Sequence, residues 1–111
     1  MTPEGFLTLD WLAPWRPATQ GAHLEAELER EVGPGHPLHG VRAVAVGRRL
    51  DSDDVLFFIP GPQARLVVVH LTWKGGREVD PSSPGTIFFA SPEEWVERCM
   101  RPAHVELQAS R

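Results

Sequence analysis

Residues 64–73 read ARLVVVHLTW. Alternate positions sort into two sets: Val67, Val69, Leu71 and Trp73 point one way, and Leu66, Val68, His70 and Thr72 the other. Both sets are largely apolar, which marks a central strand with cover on either side. Working outward, VLFFIP (55–60) is a strand stopped by Pro60-Gly61-Pro62, VRAVAVGRRL (41–50) is a Val-rich strand, and GTIFFA (85–90) is a fourth, with Gly75-Gly76 turning the chain before it. The connections are too short for parallel crossovers, so neighbours pair antiparallel.

Helices bracket the strands. In TQGAHLEAELEREVGPG (19–35), Leu24, Leu28 and Val32 recur at i, i+4, i+8, Thr19 stands as an N-cap, and Gly33-Pro34 stops the helix. Glu25, Glu27, Glu29, Arg30 and Glu31 take the remaining faces. In SPEEWVERCM (91–100), Ser91 caps, Pro92 opens the first turn and Glu94 completes a capping box. Trp95, Val96, Cys99 and Met100 form its apolar stripe, Glu94/Arg98 and Glu97/Arg101 are favourable i,i+4 pairs, and Pro102 ends it. The expected architecture is α+β: about four mostly antiparallel strands, with an N-terminal and a C-terminal helix packed on one face.

The chain has 111 residues, the length of one domain, with 41% apolar and 23% charged residues. Residues 1–18 read as an aromatic, proline-rich arm and 104–111 as a loosely held tail. The net charge of −4 and the scattered basic residues argue against nucleic acid or an anionic membrane surface as partner. The lone Cys99 forms no internal disulfide, and the N-terminus, with Glu4 and Asp10, reads as no signal peptide. A cytoplasmic protein is the expectation.

Four constellations carry chemistry. Asp51, Asp53 and Asp54 lie directly before the 55–60 strand. Such oxygens can hold a hard cation, but an Asp-rich turn is the favoured reading, because these side chains bond nearby backbone N–H groups. His70 interrupts an apolar strand and needs a partner; Asp53 or Asp54 at the end of the neighbouring strand would make an Asp–His pair with Thr72 two residues on, the start of acid–base chemistry. A core histidine is the favoured alternative. His36 and His39, with His23 and Glu27 on the first helix, are weak metal candidates beside Asp51, because zinc needs three or more converging ligands. Cys99, on an apolar stripe, reads as a core thiol, and no cofactor motif is present.

Four tryptophans in a chain without tyrosine form the fourth constellation. Trp73 and Trp95 read as core, while Trp11 and Trp15, in the proline-broken arm, serve equally as interface anchors or as staples to the protein's own core. All four are binding candidates.

DWLAPWRP (10–17), DSDDVLFFIP (51–60), VVVHLTW (67–73) and SPEEWVERCM (91–100) together resemble the recurrent blocks of a family of small bacterial proteins of unknown function, over Leu9 to His104. The resemblance implies that Asp53, Asp54, His70, Thr72, Trp73 and Trp95 belong to a shared pattern, and it imports no activity, cofactor or partner. The expected function is a small non-enzymatic module that pairs with itself or with another cytosolic protein. The alternatives are a hydrolase-like or metal-assisted enzyme built on Asp53, Asp54 and His70, and a ligand-sensing domain with a pocket between the sheet and the Trp95 helix.

Overall fold

The computed structural model describes residues 3–73 and 84–110. Five antiparallel strands lie in chain order: β1 (Trp15–Pro17), β2 (Val44–Arg49), β3 (Asp54–Ile59), β4 (Arg65–His70) and β5 (Thr86–Phe89). The expected strands correspond to β2 through β5, with β2, β4 and β5 trimmed at their ends and β3 shifted one residue earlier, while the Gly75-Gly76 turn lies outside the described residues. The fifth strand comes from the supposed arm: Trp15, Arg16 and Pro17 pair with Arg49, Arg48 and Gly47. Before it lies a 3-10 turn, Pro3–Thr8. Three residues containing a proline carry no strand periodicity, and an edge is where proline is tolerated.

Alternation along β3 and β4 builds two cores. Leu56, Phe58, Leu66 and Val68 join Trp15, Val46, Phe89, Trp95, Met100 and Ala103 on one face. Val55, Phe57, Ile59, Val67, Val69 and Leu71 meet Leu24 and Leu28 of α1 (Gly21–Glu31) and Val32 at its C-cap on the other. The helices therefore pack on opposite faces rather than on one. Strands apolar on both sides require cover on both, at about 1.5–3 kcal/mol for each buried large side chain.

Two helix boundaries differ from expectation. The N-cap of α1 is Gln20, in the left-handed region at φ 58°, and not Thr19. Pro102 does not end the C-terminal helix. Ser91 Oγ accepts from the Glu94 N–H at 3.1 Å and opens α2 (Pro92–Trp95), a π-helical stretch (Val96–Met100) follows, and α3 (Arg101–Ala109) continues past the proline. In that stretch the Arg101 N–H reaches Val96 O, five residues back, and the widened turn admits a ring that would clash with an ordinary helical carbonyl. Within the supposed tail, His104 Nδ1 meets Ala13 O at 2.7 Å, so the helix is fastened to the N-terminal segment. No helix among the described residues is long and apolar enough to cross a membrane.

Candidate functional site

β3 and β4 place the aspartates and His70. The register sets Asp54 opposite His70, and Asp54 Oδ1 lies 2.8 Å from His70 Nδ1. Cross-strand neighbours on one face stand within reach of each other, so the strand pairing alone brings this couple together. A carboxylate at Nδ1 makes that nitrogen the N–H donor and leaves Nε2 as the free face of the ring, whose side chain is 60% exposed. His70 is thus a surface residue at the strand's end and not a core histidine.

The other members of that constellation stand elsewhere. Asp53 contributes its backbone carbonyl to the Leu71 N–H, and its side chain is exposed. Thr72 lies beyond the end of β4, where its N–H is bound by Glu31. Asp51 pairs with Arg49, whose guanidinium holds the Asp51 carboxyl below its ordinary range. The Asp-rich stretch is therefore the β2–β3 turn. Cys99 is half-buried; burial pushes its thiol up, away from the reactive thiolate, and Asp54 adds to that shift.

The histidine loop is structural at one position. His36 is buried, its Nε2 donates to Pro84 O at 2.8 Å, and its Nδ1 accepts from the Leu38 N–H at 3.0 Å. With both ring nitrogens engaged, the ring has no face left for a metal. His39 is exposed, and no group of three or more metal-ligating side chains converges among the described residues.

The tryptophans divide unequally. Trp15, at 2% exposure, and Trp95 are core, in edge contact at 5.2 Å, so neither can meet a partner in the folded chain. Trp11 is half-buried, edge-on to Trp95 at 5.6 Å, and donates from Nε1 to Phe6 O at 3.0 Å. The two arm tryptophans are staples, and Gly47 on β2 leaves room above the sheet for the Trp11 ring. Only Trp73 is exposed. The space between sheet and Trp95 helix, the expected place for a ligand pocket, is filled by Trp15, Leu56, Phe58 and Trp95. A groove of about 720 Å³ opens instead beside α1, between Leu28, Val32, Leu38 and Val41, rimmed by Glu29 and Arg42.

Two features escaped the sequence reading. The first is a buried carboxyl pair, Glu27 and Glu31, on the inner side of α1. The signal was present: 24, 27, 28 and 31 are i, i+3, i+4, i+7, a helix's inward face. The second is the outer edge of β5. Among the described residues its neighbour is β4 alone, and it carries Ile87 at 61% and Phe88 at 37% exposure, one on each face of the sheet. Arg65 lies over the Phe88 ring at 4.7 Å. No family model, no curated protein and no solved structure matches the chain.

Proposed function

We propose that the protein is a small self-association module in which the β5 edges of two copies pair antiparallel about a two-fold axis, extending one sheet into the other. The observation that carries this is the contrast between the sheet's two edges. β1 is blunted in the usual ways, being three residues long, with Arg16 exposed and Pro17 lacking an N–H. β5 reads Thr-Ile-Phe-Phe, with no proline and no charge, and Ile87 and Phe88 face water. An unblunted apolar edge is a template for another strand. An isologous pairing uses the same residues on both copies, so one short sequence supplies the whole interface.

The edge offers its backbone in a fixed pattern. His70 N–H donates to Gly85 O, which sets the phase of the ladder, and by alternation Ile87 and Phe89 point their N–H groups at β4. Thr86 and Phe88 point theirs outward. Sedimentation velocity over a wide range of concentration tests the proposal. The wild-type chain should associate reversibly, and Ile87→Lys and Phe88→Lys, at exposed positions, should sediment as folded monomers. A wild-type chain monomeric at several hundred micromolar, or variants that associate unchanged, would end it.

A second reading rests on the Asp54–His70 contact at 2.8 Å. An imidazole oriented by a carboxylate and open at Nε2 is the form of a general base. It supports a hydrolase-like activity at this strand end, and a panel of activated esters compared between wild type and His70→Gln tests it. Equal rates in the two proteins would remove it.

A further inference from the structure

Glu27 and Glu31 stand one helical turn apart on α1, at 2% and 0% exposure. Two neighbouring carboxylates in such a place cannot both be charged without large cost. Their hydrogen bonds show which one carries the charge. Glu31 is surrounded by donors: the Thr72 N–H lies 2.9 Å from Oε1 and 3.1 Å from Oε2, and the Trp73 N–H lies 2.9 Å from Oε2. Glu31 is the carboxylate. Glu27 Oε1 takes Arg30 Nη2 at 3.2 Å, but Oε2 is buried with no donor reaching it among the described residues. A buried carboxyl oxygen with no incoming donor, one helical turn from the Glu31 carboxylate, is where a proton resides.

What this pair holds is unusual. Trp73 lies in the left-handed region at φ 56°, a conformation rare for a bulky side chain. Its N–H is fixed by Glu31, and its ring stacks on His23 at 5.4 Å and 29°. His23, Glu27 and Glu31 follow at four-residue intervals, so one stripe of α1 grips the segment at its backbone and at its ring.

We propose that Glu27 and Glu31 share a single proton, and that this proton latches the Thr72–Trp73 segment onto α1, so that losing it loosens the segment and frees the Trp73 ring from His23. The environment agrees. The hydrogen bond to Glu31, then burial, then the Glu31 charge raise the Glu27 carboxyl to about 7, against a downward pull from Arg30. Burial alone would raise Glu31, but the bonds from Glu27, Thr72 and Trp73 outweigh it and hold that carboxyl below its ordinary value. Among the described residues, α1 brings Arg30 to Glu27 and His23 to the Trp73 ring; the 72–73 segment brings backbone N–H groups and the Thr72 hydroxyl; the sheet under α1 brings apolar side chains such as Val69 and Leu71. Near neutral pH the second anion forms inside the fold, and separation of Glu31 from its neighbour relieves it.

Amide hydrogen exchange at Thr72 and Trp73 in the full chain, corrected for intrinsic rates, tests the latch. Opening releases the proton, so the open population should rise roughly tenfold per pH unit from mildly acid pH and level off near the Glu27 step. Glu27→Gln donates the same hydrogen bond from an amide with no proton to lose, and should be flat. If that variant does not fold, Glu31→Gln, whose carbonyl still accepts both N–H groups, should also lack the step. His23→Gln removes the stacked imidazole and should keep it. A flat wild-type profile, a step surviving in Glu27→Gln (or, where that variant does not fold, in Glu31→Gln), or one abolished by His23→Gln overturns the proposal.

Discussion

Replacing Gly47 by alanine probes how the N-terminal segment is fixed to the sheet. Gly47 follows an irregularity in the β2–β3 register, and a Cβ built there would lie 2.6 and 2.8 Å from two Trp11 ring carbons and 3.4 Å from the Leu56 Cβ. Carbon atoms rest at about 3.5–4.0 Å, so the indole must retreat by about an ångström. It cannot do so without disturbing its 3.0 Å bond to Phe6 O and its 5.6 Å edge contact with Trp95. Overpacking costs about 1–3 kcal/mol, and a weakened hydrogen bond and aromatic pair add to that, for a total of about 2–4 kcal/mol. Urea denaturation of wild type, Gly47→Ala, Trp11→Ala and the double variant closes the cycle. With the indole gone, Gly47→Ala should be nearly neutral. An equal cost in both backgrounds would refute the idea that Trp11 claims the space above Gly47.

Three further outcomes are expected. Glu27 has a raised carboxyl pKa in the fold, about 7 against 4.5, so its contribution is fully present below pH 4.5 and is lost as pH rises to 7. The loss is about 3 kcal/mol, and Glu27→Gln should flatten it in urea titrations at mildly acid and mildly alkaline pH. His36→Ala leaves the Pro84 carbonyl and the Leu38 N–H without their buried partner and should cost about 2–4 kcal/mol in chemical denaturation, whereas His39→Ala, at an exposed site, should stay within about 0.5 kcal/mol. Cys99, its thiol pushed up by burial, should react with a thiol reagent at least roughly tenfold slower in the native chain than in denaturant.

Legibility in the sequence followed the strength of local physics. β3 and β4 could be read because burial on two faces leaves an unbroken apolar run, and the Ser91–Glu94 cap could be read because its chemistry is local. β1 could not: three residues have no period, and Trp15 becomes a strand only because Arg49 is there to pair with it. Helix continuation past Pro102 depends on a π-helical stretch that no single residue announces. The Asp–His couple was legible as a possibility at the strand ends, and the register that realises it with Asp54 rather than Asp53 is a property of the pairing. The sequence reading places Glu27 and Glu31 on the faces of the helix left by its apolar stripe, while the helix's inward spacing and the Thr72 and Trp73 amides bring them inside. Both features on which the functional proposals rest, the β5 edge and the carboxyl pair, arise from what the fold leaves uncovered or encloses.

The most direct test of β5 pairing is amide exchange along that strand as a function of protein concentration. Thr86 and Phe88 point their N–H groups away from β4, and Ile87 and Phe89 point theirs toward it. Association through this edge predicts that exchange at Thr86 and Phe88 slows progressively with concentration in the wild type, and that the Phe88→Lys variant shows no such slowing at Thr86. Rates at Thr86 and Phe88 that do not change with concentration while the chain sediments as a dimer would place the interface elsewhere and contradict the account.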